Sequence, residues 1–431
     1  MTTIAEVKMW GTTIGAVMMK DGWQTARFQY DARFTQSGIS PSPLMMPTGN
    51  MVYEFPTLSK QSFYGLPGML ADSLPDTFGN ALIDAWLARQ GRSPSSFNAV
   101  ERLCYTGARG MGALEYAPAT GPVSSGEAAL SVAHLVELAN AILSHRDELN
   151  TSFAAEPSLA IGDILKVGTS AGGARAKAVI AWNPTTGKVR SGQTTLATGF
   201  EHWLLKFDGI SNNRDRDLAD PQGYGAIEYA YYKMACDCGI EMSECRLLEE
   251  GGRRHFMTRR FDRVKNSKRH MQTLGALAHM DFNQAGAHAY EQAMDVSRRL
   301  GLTAAATSQL FRRMVFNVVA RNQDDHVKNI AFLMDRSGQW SLAPAYDMTY
   351  SYYPEGRWTA QHQMTVNGKR DHFSRSDFEA CGDVARLKRG EAKRVLEEVL
   401  RTVTNWRDYA DDAGVNIQQR DAIYKSLRLD F

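Results

Sequence analysis

The stretch Asn322-Gln323-Asp324-Asp325-His326-Val327-Lys328-Asn329 decides how this chain is read. Ahead of it Leu310, Phe311, Met314, Val315, Val318 and Val319 fall on one helical face. Behind it a hairpin pattern follows, with strands over 330–334 and 339–342 around an Asp335-Arg-Ser-Gly338 turn, ending at Ala345-Tyr346-Asp347. Charges crowded between an apolar helix and an apolar strand are costly to place without partners. Phosphoryl transfer supplies such partners: a carboxylate beside the attacking hydroxyl, and oxygen ligands that hold Mg²⁺ on the phosphates of ATP. In protein kinases the catalytic Asp precedes a metal-binding Asn by five residues, with a second metal-binding Asp further on. Asp324 to Asn329 is that step, and Asp347 stands where the second acid would. A lone Asp-x4-Asn is common by chance and would suit a polar loop equally well; the flanking helix and hairpin favour the chemical reading.

Three features upstream fit the same site. The glycine-rich run Gly168-Thr-Ser170-Ala-Gly172-Gly173 can bring backbone N–H groups close to phosphate, although such runs are usually plain loops. No Gly-Lys-Ser/Thr follows, so it is not a Walker A loop. Lys206 lies inside the apolar strand Trp203-Leu-Leu-Lys206-Phe207, where its ammonium needs an anion unless the strand is an edge and the side chain reaches solvent. Glu228 stands near the start of a helix with apolar face Ile227, Ala230, Tyr231, Met234, Ala235 and Cys238. It can pair with Lys206 as the strand lysine and helix glutamate of kinases do, or serve as a first-turn acid favoured by the helix dipole. Each is ambiguous alone; their order along the chain is what points to a kinase.

The remainder reads as a strand-rich first part and a mainly helical last part. Alternation at Val7 and Met9, β-rich residues 12–19, the turn Lys20-Asp-Gly22, and Phe28 and Tyr30 predict strands near the start. Ser73 and Asp76 signal a helix that continues through Phe78, Leu82, Ile83, Trp86 and Leu87 to Gly91. A soft boundary at 118–127 precedes another amphipathic helix marked by Leu130, Leu135, Leu138, Ile142 and Leu143. With 431 residues, 43% hydrophobic and 22% charged, the chain is globular and of more than one domain. Forty-nine basic against 47 acidic residues give a net charge of +2, which is not the footprint of a chain that holds nucleic acid alone. The basic run Arg253, Arg254, Arg259, Arg260, Arg263, Lys265, Lys268 and Arg269 reads as a solvated face. No secretory signal or membrane span is apparent, and five cysteines without a CxxC pair read as buried thiols of a cytoplasmic protein rather than a zinc site.

With those residues in place, the chain resembles the HipA-like serine/threonine kinase toxins of bacterial toxin–antitoxin systems. The resemblance is carried by Asn322, Asp324, His326, Lys328 and Asn329; by Leu342, Pro344, Tyr346 and Asp347; and by Ser170, Gly173 and Lys177. Arg260-Phe261-Asp262-Arg263 at a hinge and Leu74-Pro75-Asp76 near the start add to it. It implies an α+β, two-lobed, protein-kinase-like fold: a strand-rich N-terminal lobe with a small β-rich subdomain, and a mainly helical C-terminal lobe. The corresponding parts are 1–125, 126–258 with the nucleotide-binding elements, and 259–431 with the catalytic loop. By the same resemblance Asp324 is the catalytic base, and Asn329 and Asp347 hold Mg²⁺. Lys206, paired with Glu228, meets the ATP phosphates together with the loop of Ser170, Gly172, Gly173 and Lys177. Arg259, Arg260 and Phe261 line the adenine with backbone groups, while His326, Lys328 and Tyr346 support the nucleotide site.

Ser170 corresponds to the loop serine that family members autophosphorylate. Its phosphate would carry about −1.5 to −2 charge and push the loop out of the site. A HipB-like DNA-binding antitoxin is the expected partner, with DNA reached only through it. The expected substrate is a cellular protein tied to translation, such as an aminoacyl-tRNA synthetase. A kinase-fold enzyme acting on a small molecule, and a non-catalytic corepressor that clamps the antitoxin, are the alternatives.

Overall fold

The computed structural model describes residues 2–75, 77–122, 129–144, 164–165, 167–168, 175–193, 195–210 and 223–431. Asp76 and the loop residues Ser170, Gly172 and Gly173 therefore lie outside the described residues. The early alternation becomes β1 (Thr2–Met9), β2 (Thr12–Lys20) and β3 (Arg27–Tyr30). With β4 (Val52–Tyr53) and β5 (Leu114–Ala117) they form an antiparallel sheet in the order β4-β3-β2-β1-β5. Period-two patterning sends Ala5, Val7, Met9, Val17 and Phe28 inward, where they pack on Met69, Leu70, Val100 and Leu103 from short helices.

A second antiparallel sheet follows. It contains β6 (Lys177–Trp182), β7 (Val189–Ser191), β8 (Glu201–Lys206), β9 (Cys245–Glu250) and β10 (Arg253–Arg259), in the order β7-β6-β8-β10-β9. One face packs Ile180, Trp203, Leu205 and Met257 against Leu135 and Ile142 of helix Val132–Ser144 and Phe78 and Leu82 of helix Thr77–Arg89. Helix Tyr224–Asp237 also lies against this sheet. It comes so close to β10 that a Cβ on Gly225 would sit 2.3 Å from the Arg254 carbonyl oxygen, so glycine sets the depth of a helix that carries Glu228. β8 is flanked by β6 and β10, so Lys206 is not on an edge strand. It has no short route to water.

From His270 onward helices dominate. Ala304–Val319 buries Leu310, Phe311, Met314, Val315, Val318 and Val319 in a core shared with helices Tyr290–Arg299, Glu391–Val403 and Trp406–Asp412. The hairpin Ala331–Met334 and Trp340–Leu342 pairs with strand His270–Thr273. The architecture is the α+β, two-lobed, kinase-like one. Among the described residues no helix is long and apolar enough to cross a membrane.

Two expectations need correction. Cys236 is exposed, while Cys104, Cys238, Cys245 and Cys381 are buried. The basic run is largely not a solvated face, because most of its cations are spent inside the protein. Arg253 donates to the carbonyls of Asp208 and Gly209, and Arg254 to those of Ala413 and Gly414. Lys268 meets the Ala108 carbonyl and Glu115. Arg260 grips Asp262 with two bonds of 2.9 and 2.7 Å, and Arg263 reaches the same carboxylate at 2.7 Å and the carbonyls of Gly110 and Gly112. Lys265 and Arg269 stay exposed, as does Arg259, which pairs with Glu201.

Asp262 is completely buried and also accepts the Gly112 N–H at 2.8 Å, so one acid joins the first subdomain to the segment between the lobes. Burial alone would raise its pKa, but Arg260 and Arg263 hold it well below the ordinary carboxylate range. A group depressed in this way contributes stability above its unfolded pKa and loses it as pH falls through the folded one. Asp262→Asn is expected to cost about 3–5 kcal/mol in urea unfolding at neutral pH, because two guanidinium groups are left buried with no anion. The variant's melting temperature should also fall less steeply than that of the wild type below about pH 4.

Candidate active site

At the end of β8, the buried Lys206 ammonium donates to Oε1 of Glu228 and Oδ1 of Asp347, both at 2.5 Å. These three side chains come from the sheet, from helix Tyr224–Asp237 and from the residue after the C-lobe hairpin. Burial would pull the Lys206 pKa down, but the carboxylates of Asp347 and Glu228 outweigh it and hold the ammonium charged well above its usual range. Burial likewise favours a neutral Asp347, yet Lys206 and then Lys177 hold its carboxyl down at about 2. Lys177 stands directly opposite Lys206 in the β6–β8 register. Arg175 stacks on the Tyr224 ring at 3.3 Å and lies 3.7 Å from Oε2 of Glu228.

Asp347 has a left-handed backbone with φ of +53°, uncommon for a residue with a side chain and tolerated best by Asp and Asn. Asn322 steadies it, donating from Nδ2 to the Asp347 carbonyl at 3.2 Å and to Oδ1 of Asn317 at 2.9 Å. The first residue of the motif thereby holds the last acid of the site. Asn329 folds back on the loop, with Nδ2 donating to the Asp324 carbonyl at 2.8 Å. That bond leaves its Oδ1 as the atom able to accept a cation. Oxygen from Asn329 and Asp347 suits a hard ion such as Mg²⁺, which is usually held by one or two carboxylates with phosphates and water completing the shell. Among the described residues there is no group of three or more His, Cys, Asp or Glu side chains that could hold a metal.

Asp324 accepts the Trp358 indole N–H at 2.7 Å, with His326 Nε2 3.9 Å away. Tyr346 donates to the Lys328 carbonyl at 2.6 Å, and its ring lies 5.7 Å from that of Phe261. The Lys328 ammonium sits 4.8 Å from the centre of the Phe282 ring, on the side of Asp72.

In the segment expected to line the adenine, the Arg259 N–H donates to the Glu244 carbonyl and the Arg260 N–H to that of His202, so these two N–H groups are engaged in backbone pairing. The Arg260 side chain is likewise committed to Asp262.

Sequence reading missed Asp325, Trp358 and Arg175. Asp325 is buried and accepts from Tyr290 at 2.9 Å, His362 at 2.8 Å and the Gln363 N–H at 2.7 Å. The doubled acid of the motif carried a signal, since neighbouring side chains in an extended segment point opposite ways. Nothing local marked Trp358 or Arg175.

A two-lobed kinase-like scaffold with this cluster at the junction of its lobes narrows the class. The HipA-like C-terminal domain family matches residues 169–407, more than half of the chain, and the HipA N-terminal domain family matches residues 5–117. The chain belongs to the HipA-like family. It is similar to the HipA of Shewanella oneidensis, solved as a toxin–antitoxin complex with HipB and operator DNA. That likeness has a TM-score of 0.68 over 98% of this chain and 94% of that one, at 16% identity, and it concerns the fold. A Haemophilus influenzae protein is 29% identical over 168 residues, 35% of this chain and 49% of that protein. A Sinorhizobium fredii protein is 24% identical over 196 residues, 43% of this chain and 45% of that one. Both are named as candidate kinases, and this chain spans about half the length of each.

Lys206→Met would strand the buried carboxylate of Glu228 and the half-buried one of Asp347. The expected loss is about 3 kcal/mol or more of unfolding free energy at pH 8, read by urea titration. The deficit should shrink toward pH 4 as the stranded acids take up protons; a deficit constant across that range would contradict the charge argument.

Proposed function

We propose that the chain is a HipA-type protein serine/threonine kinase that uses ATP with Mg²⁺. The observation that carries this reading is the pair of bonds from Lys206 to Glu228 and Asp347, next to a loop in which Asn329 is tied to Asp324. In this reading Asp324 takes the proton of the acceptor hydroxyl as that oxygen bonds the γ-phosphorus, the bond to the β-phosphate oxygen breaks, and ADP leaves. Lys206 faces the phosphates and keeps Asp347 ionised. Asn329 and Asp347 would hold Mg²⁺, which would supply charge neutralisation on the phosphates. Phe261 and Tyr346 offer the adenine an apolar wall, next to the backbone of Arg259 and Arg260. Lys177, with Ser170, Gly172 and Gly173, belongs to the phosphate-side loop, and His326 and Lys328 support the catalytic segment. Ser170 is the proposed site of self-phosphorylation.

The proposed biological role is that of a toxin-antitoxin toxin that arrests growth by phosphorylating a translation-related protein, such as an aminoacyl-tRNA synthetase. A HipB-like antitoxin would be its partner, by analogy with the Shewanella complex. Contact with DNA would pass through that antitoxin, because most of the basic run is committed to internal bonds and the net charge is only +2.

Purified wild-type and Asp324→Asn proteins, each with labelled ATP and a cell extract, test the reading. Loss of the base should lower phosphate transfer by roughly 10²–10⁴-fold while ATP binding persists, and phosphopeptide mass spectrometry should find Ser170 modified only in the wild type. Equal labelling by both proteins, or no protein labelled by either, would contradict it.

A further inference from the structure

The indole N–H on Asp324 comes from a segment outside the motif, and the way that segment is anchored is informative. Residues 358–363 form a strap bonded to three consecutive loop residues. The Thr359 carbonyl accepts from Nε2 of Gln323 at 2.9 Å, Trp358 donates to Asp324, and His362 Nδ1 and the Gln363 N–H meet Asp325. Gln363 Nε2 also donates to the Trp358 carbonyl, which closes the strap on itself.

Behind both pieces stands Arg428, just past helix Ile417–Ser426. Its NH2 donates to Oε1 of Gln323 at 3.0 Å and to Asp371 at 2.6 Å. Its NH1 donates to the Val318 carbonyl at 3.0 Å and to His362 Nε2 at 2.9 Å. One guanidinium therefore grips the catalytic loop through Gln323 and the strap through His362. Because His362 accepts at Nε2, its ring proton sits on Nδ1, facing Asp325. Gln323 has no freedom to turn: its carbonyl receives Arg428 and Arg321, and its amide serves Thr359.

We propose that Trp358 is a positioning residue for Asp324, and that Arg428 holds Trp358 in place by clamping Gln323 and His362 together. This rests on the reading of Asp324 as the base. An indole N–H only donates, so its bond to Oδ1 fixes the carboxylate's orientation.

The test is kinetic and uses the full chain. Trp358→Phe keeps a ring and removes the donor. It should lower kcat roughly 10- to 100-fold, the scale of one hydrogen bond to a charged group, with the KM for ATP unchanged. Arg428→Lys keeps a charge but lacks the planar fork needed to reach Gln323 and His362 together, so it should act in the same direction and more weakly. The double variant should be no slower than Trp358→Phe alone, as expected when one residue acts through the other. Multiplicative effects, a Trp358→Phe protein with unchanged kcat, or a loss carried by the KM for ATP rather than by kcat, would overturn the proposal.

If the wild type transfers no phosphate, the kinase reading itself fails, and the indole N–H resonance of Trp358 decides the geometry instead. Assigned by its disappearance in Trp358→Phe, it should shift in both Asp324→Asn and Arg428→Lys. A resonance that stays put in Arg428→Lys would show that the clamp does not reach the indole.

Discussion

A buried ammonium between two carboxylates is the constraint on which the arrangement of the lobes turns. Lys206 reaches Glu228 within its own lobe and Asp347 across the junction. Desolvating such a group costs several kcal/mol per ion, and mutual attraction offsets this only when the geometry is good and the remaining lone pairs are served. Among the described residues Oε2 of Glu228 is buried without a hydrogen bond, 3.7 Å from the Arg175 guanidinium. The cluster is therefore a poor device for stability. It is a good one for poise, because it keeps an acid ionised at the lobe junction and makes its charge depend on a lysine from the opposite lobe. Any relative movement of the lobes that lengthens the Lys206–Asp347 contact would loosen both.

The first subdomain is bound into this arrangement by two acids. Asp262 joins the loop at Gly112 to the segment following β10. Asp72 accepts from both the N–H and the hydroxyl of Thr273, at 2.7 and 2.9 Å, where helix Leu274–Ala278 begins. That helix leads on to Phe282, whose ring lies 5.8 Å from His326 and under Lys328. The small β-rich subdomain thus has a route of contacts to the catalytic loop.

Much of this was legible from the sequence because it rested on periodicity. The apolar stripe over 310–319 fixed a buried helix, alternation gave the early strands, and Lys206 inside an apolar run needed an anion and has two. Asp324 and Asn329 proved to be bonded, as a five-residue step in a tight loop permits. What could not be read were the partners of the basic residues. A guanidinium that donates to carbonyls, as Arg253 and Arg254 do, answers to backbone groups that carry no residue-type signal. Likewise, only the β10 pairing reveals where the N–H groups of Arg259 and Arg260 go.

The catalytic segment itself explains why distant residues matter to it. A loop that presents Asp324 to a cleft cannot continue the helix Ala304–Val319, and the chain leaves that helix through Arg321 in a left-handed conformation, φ +57°. The residues that follow are buried yet belong to no regular element, so their polar groups must be paired one at a time. Gln323 donates its N–H to the Ser351 carbonyl, and the Ser351 N–H returns to that of Arg321. Side chains from positions 358–363 and 428 serve the rest. Irregular backbone is what lets two adjacent acids diverge, Asp324 toward the indole and Asp325 into the core. The satisfaction of that backbone by the strap and the last helix's exit segment is what makes the divergence hold.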